Sequence, residues 1–206
     1  QLLRLTRLAP AALPERLLMS AGVGYVLIGY GVLALGLAGL LSHWAVAALL
    51  ALLAVAGLGH WDLLWEGLLR AVSIFLRAFR SEFHAPCAAV IVLLLAGTLI
   101  TALTPPAGAD YDGLAEHLAQ AAAYVRHHHV APLWHDHHSQ FPSNMQMLYS
   151  IALLYRSVTA AKLLHWFYGV MGLFGVLLIG RRFLGSRAGT AGMFVLASCP
   201  MFLWLA

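Results

Sequence analysis

The chain has 206 residues, of which 62% are hydrophobic and only 10% charged, with a formal net charge of +4 and a mean hydropathy of +0.83. A water-soluble domain carries roughly 25% charged residues, so the composition excludes one. It points instead to several apolar helices, each long enough to cross a ~30 Å hydrocarbon core while satisfying its own backbone groups.

Residues 1–16 carry Arg4, Arg7 and Arg16 with two prolines and read as an interfacial lead-in. The first expected span is 17–41, with Gly22, Gly24, Gly29, Gly31, Gly36 and Gly39 along it. Small residues let membrane helices approach closely, so these glycines read as packing positions. Ser42, His43 and Trp44 make a short turn, and 45–59 is a second, short span that closes a hairpin. In 61–80, Asp62, Glu66, Arg70, Ser73, Arg77 and Arg80 recur every three or four residues. That period predicts an amphipathic helix at the membrane surface, with Glu66 one turn before Arg70 and placed to pair with it.

A third span, 86–103, stops at Pro105 and Pro106; further spans are expected at 163–179 and 188–206, joined by a basic turn holding Arg181, Arg182 and Arg187. The fold class is therefore an all-α, polytopic transmembrane bundle of about five spans. It divides into a membrane region 1–104, a large loop 105–162 with interfacial helices, and a second membrane region 163–206. With the N-terminus inside, nine arginines fall on one side (Arg4, Arg7, Arg16, Arg70, Arg77, Arg80, Arg181, Arg182, Arg187) and only Arg126, Arg156 and Lys162 on the other. That asymmetry obeys the positive-inside rule and places the large loop outside. It works only if 143–155 does not cross, and that stretch is too short to do so, which suits a re-entrant or surface helix. No basic patch is interleaved with base-stacking aromatics, which argues against a nucleic-acid partner. Cys87 and Cys199 lie in apolar stretches and read as small core residues rather than a disulfide.

Residues 104–155 hold four of the eight acids (Asp110, Asp112, Glu116, Asp136) and seven of the eleven histidines. Chemistry is expected there. Residues 112–128 scan as an amphipathic helix lying on the outer leaflet, with Leu114, Leu118, Ala121 and Val125 on one face. Asp112, Glu116, Gln120, Ala123 and His127 lie on the other. Asp110 and Asp112 at its start cap the helix, or serve as general base or metal ligand. His135, Asp136, His137 and His138, with His127, His128 and His129 nearby, supply imidazole and carboxylate ligands for a divalent metal. The other reading of the same stretch is a polar loop of neutral imidazoles. Arg126, Arg156 and Lys162 receive an anionic lipid headgroup or a phosphate leaving group, or simply snorkel at the interface.

Leu103-Thr104-Pro105-Pro106, Asp112, Leu114, His117-Leu118, Phe141-Pro142, Met147-Leu148-Tyr149 and Gly180-Arg181-Arg182 come in an order along the chain that resembles bacterial membrane glycosyltransferases of the GT-C superfamily. The similarity is to the protein O-mannosyltransferase and aminoarabinose-transferase type and covers about 86–206. The resemblance implies a polyprenyl-phosphate sugar donor, an inverting transfer to an extracytoplasmic acceptor, and an acid on the first outer loop as catalytic base. Asp112 matches that position, with Asp110 as the alternative, and His117 or Arg126 would stabilise the departing phosphate. It also implies the bacterial inner membrane, and a chain that is the N-terminal portion of a longer enzyme. Two departures stand out: Gln146 where a Glu is expected, and Tyr111 where a Trp is common before the acid. Two other classes remain open, an accessory subunit of a larger membrane complex and a metal-handling protein built on the histidine loop.

Overall fold

In a computed structural model the described residues are 12–78, 81–106, 112–134, 136, 139, 143–200 and 202; among them the regular structure is helical, with no strand. The helices are α1 (Leu13–Leu37), α2 (His43–Gly57), α3 (Trp61–Ala78), α4 (His84–Leu103), α5 (Leu118–His127), α6 (Asn144–Leu154), α7 (Val158–Phe183) and α8 (Ser186–Ala197), and a π-helical turn, Asp112–His117, precedes α5.

Four helices are long and apolar enough to cross a membrane: α1, the run His43–Ile74, α4 and α7. Such a set is compatible with an integral membrane protein. The second of them departs from the sequence reading. A 3₁₀ turn, Leu58–His60, joins α2 to α3, so the expected short span and most of the expected surface helix fall in one helical run, of which His43–Ile74 makes up 32 residues. No proline interrupts 57–61, and Gly57 and Gly59 are tolerated inside a helix, so nothing stops it. At ~48 Å those 32 residues exceed the hydrocarbon thickness. The expected ion pair is present: the Arg70 guanidinium donates to the Glu66 carboxylate on the exposed polar stripe. At the other end, α8 is 12 residues long and stops ahead of Pro200. It falls short of a span by itself. Cys199 is exposed rather than part of the core.

The chain forms two compact units. Unit 1 comprises residues up to Gly22, Gly57–Thr101 and Trp166 onward. Its core is Ile91 of α4, Leu173 of α7, and Met193 and Ala197 of α8, with Leu94, Leu177 and Phe194 packed around them. Trp166 donates its indole N–H to the Thr98 hydroxyl at 3.0 Å, and Arg182 donates to Glu15 at 2.6 Å. Gly180 and Gly189 face each other where α7 and α8 cross; a Cβ on Gly180 would lie 2.5 Å from the Gly189 Cα.

Unit 2 comprises Val23–Ala56 and Ala102–His165. Its frame is the hairpin of α1 and α2, turned at Gly39 (φ +70°). Val32, Leu41 and Val46 of this hairpin share a core with Tyr124 of α5 and with Met147 and Leu154 of α6. A second core joins Leu118 and Ala121 of α5, Tyr149 and Ala152 of α6, and Ala161 of α7.

Candidate functional site

The site is assembled by two short helices, α5 and α6, and their orientation is set by their contacts. At the C-terminal ends, His128 Nδ1 donates to the Leu41 carbonyl at 2.7 Å, and the Leu41 N–H returns a bond to the His128 carbonyl at 3.3 Å. His43 Nε2 donates to the Leu154 carbonyl at 2.5 Å. Both C-termini are thus tied to the hairpin tip. At the N-terminal ends, the Gln146 amide donates from Nε2 to His117 Nδ1 at 2.9 Å, so α5 and α6 run the same way. Gly29 is the residue that makes room for Asn144 at the start of α6. It lies eight residues below the end of α1, or ~12 Å from the hairpin tip. The two helices therefore stand beside the hairpin.

That arrangement bears on the stretch 143–155, expected as a re-entrant or surface helix: it packs inside unit 2 rather than on its surface. Gln146, Met147, Leu148, Tyr149, Ser150, Ala152 and Leu154 are all buried.

The face assignment of α5 changes too. Gln120, which the periodicity puts opposite Leu118 on the polar face, is 1% exposed, and Tyr124 is buried with it. Leu118 and Ala121 are buried as well, so α5 is covered on both faces rather than rotated. Gln120 donates from Nε2 to Asp136 Oδ2 at 2.8 Å, and its Oε1 is buried without a hydrogen-bond partner among the described residues. Burial pushes the Tyr124 phenol above its usual value, and the Asp136 carboxylate acts in the same direction.

The π turn ends at His117. With the Gln146 amide nitrogen as donor, His117 Nδ1 is the acceptor and the ring proton sits on Nε2. His117 is itself exposed, so its Nε2–H remains a donor held in orientation by a buried amide. An imidazole N–H of this kind can stabilise negative charge that develops on an oxygen.

Further along α6, the Tyr149 hydroxyl is hydrogen-bonded to His165 Nδ1 of α7. One turn earlier on α7, Lys162 donates to the Thr104 carbonyl at 3.0 Å. The roles that His165, His43 and His128 take here were not read from the sequence. The last two bond backbone carbonyls 111 and 87 residues away, and backbone acceptors leave no residue pattern. For His165 the spacing of three from Lys162 is the one available cue.

Of the site residues expected from sequence, Asp110, His135, His137 and His138 lie outside the described residues, as does the side chain of Asp112. Asp136 accepts from Gln120, and among the described residues no group of three or more His, Cys, Asp or Glu is placed to hold a metal ion. His117 and Arg126 are not brought together: nine residues of continuous helix separate them by ~14 Å. Arg126 is exposed near the C-terminus of α5. Arg156 is exposed just past α6 with a left-handed backbone, φ +59°. Both belong to the hairpin-tip end. Compared with family models, with curated proteins and with solved structures, the chain matches none.

Proposed function

We propose that the chain is the front part of a GT-C-type membrane glycosyltransferase, seated in the bacterial inner membrane with the loop 105–162 facing outside. In this reading the chain crosses about five times, the stretch after Arg187 being the last, and a polyprenyl-phosphate sugar is the donor. Asp112 removes the proton from an acceptor hydroxyl, whose oxygen attacks the anomeric carbon from the face opposite the phosphate. The new C–O bond forms as the bond from the anomeric carbon to the phosphate oxygen breaks, with inversion. The departing polyprenyl phosphate takes its hydrogen bond from His117 Nε2–H.

The observation that supports this reading is the His117 imidazole, exposed and oriented by the buried Gln146 amide. The order of the flanking motifs supplies the substrate class. Asp112→Asn in the full-length protein is expected to abolish sugar transfer while the chain stays folded. His117→Ala is expected to slow transfer by about 10²–10³-fold, the cost of removing one oriented donor. Undiminished turnover by Asp112→Asn would sink the assignment.

A second reading has its own support. Gln146, at the place where the resemblance calls for a Glu, is buried and spends its amide on His117. A neutral residue there suits an accessory subunit that keeps the fold without the activity. A purified chain that stays assembled with partner subunits and binds no donor lipid would favour it over the transferase.

A further inference from the structure

We propose that the hairpin-tip end of unit 2 is a docking rim for the anionic phospholipid headgroups of the bilayer. This goes beyond the transferase reading and does not depend on it. The contacts of His43, His128 and Leu41 bring three short segments to this end: the turn after α1, the stretch after α5, and the stretch after α6. The turn after α1 and the stretch after α6 each contribute an aromatic that the protein leaves uncovered: Trp44 is 86% exposed and Tyr155 55%. Large amphipathic rings held out in this way belong at headgroup depth, where the ring body meets acyl chains and the N–H or O–H meets water.

The charge at the rim has one sign. Arg126 and Arg156 are exposed there, while residues 37–47, 126–135 and 155–162 contain no acid. Asp136, the acid that comes next in the chain, is turned to the Gln120 amide. The Tyr155 ring also packs edge-on against His43 at 5.6 Å, which anchors it at the α2 start. Two fixed cations on segments that carry no acid, ringed by interfacial aromatics, match a layer of lipid phosphates. Arg126 and Arg156 therefore serve lipid, and His117 alone stands near the proposed reaction centre.

The test uses the full chain in lipid nanodiscs containing phosphatidylglycerol and phosphatidylcholine, with bromine near the headgroup end of the acyl chains of one lipid or the other. The fluorescence lost in Trp44→Phe isolates the rim signal from the other tryptophans. That signal is expected to be quenched at a lower mole fraction of brominated phosphatidylglycerol than of brominated phosphatidylcholine. The preference should be about fivefold for each arginine, the scale of one basic residue at an anionic surface. Arg126→Gln/Arg156→Gln should remove the preference, and Arg126→Lys/Arg156→Lys, which keeps both charges, should retain it. Equal quenching by the two lipids overturns the proposal. So does quenching by neither, which would put the rim in water or under another protein chain, or a preference that survives the glutamine pair.

Discussion

Replacing Gly189 by alanine is expected to destabilise the protein, although alanine is the better helix former by about 1 kcal/mol. A Cβ on Gly189 would sit 2.6 Å from the Leu177 carbonyl oxygen and 2.8 Å from the Arg181 nitrogen, where ordinary contact begins at 3.4 Å. Both are backbone atoms of α7, so no side-chain rotation can relieve the overlap, and α7 and α8 must part by about 1 Å in an interior packed as densely as a crystal. Parting strips contact from Leu173 and Leu177 on one side and Met193 and Phe194 on the other, the core of unit 1. Overpacking of this kind costs roughly 1–3 kcal/mol, leaving a net loss of about 1–2 after the helix gain. Gly172, on the same helix α7, is the control: nothing lies within 4 Å of its Cβ position. Gly172→Ala should therefore keep the propensity gain of up to about 1 kcal/mol. Unfolding by SDS in mixed micelles, monitored through helical circular dichroism, compares the two. A Gly189→Ala protein that unfolds at or above the wild-type midpoint refutes the crossing.

Three other outcomes are expected in unit 2. The raised Tyr124 phenol favours its neutral form in the folded state. Its contribution is thus complete below the unfolded phenol value near 10 and is lost as pH climbs past it; melting scans in alkaline buffers should show this slope in wild type and lose it in Tyr124→Phe. Arg156→Gly removes the strain of a side chain in the left-handed region and should raise stability by up to about 1 kcal/mol, while lowering the rim's anionic-lipid preference. Gln120→Leu should cost less than about 1 kcal/mol, because the lost bond to Asp136 is offset by removing the unpartnered Oε1. Gln120→Glu should cost more, since it sets a second carboxylate in the same buried place; SDS midpoints of the two variants rank them.

The helical class was legible because its cause is compositional. Uninterrupted Leu, Ala, Val and Gly can satisfy backbone groups in lipid only as helix, and the hairpin turn at Ser42 announces itself by its polar residues. The Glu66–Arg70 pair was legible because helix periodicity alone dictates it. The sequence hides anything decided by register or by partners far along the chain. Gln120 looked solvent-facing because its partner, Asp136, comes from 16 residues further along the chain. The length of 143–155 excluded a span, but it could not say whether those residues lie on a surface or beside a hairpin; the room at Gly29 decides that.

The placement of α6 also dictates an order of assembly during synthesis. A helix of 11 residues reaches ~17 Å and cannot hold itself across a bilayer. Entering lipid alone, it would carry the Gln146 amide in with no acceptor opposite. Residues 23–56, which receive it, leave the ribosome before it does, and so does His117, which takes the Gln146 amide hydrogen. The receiving hairpin is therefore in place before its guest arrives, and docking of 112–154 is a separate, later event. A cell making this protein must hold that stretch until Leu154 and His128 reach the hairpin tip.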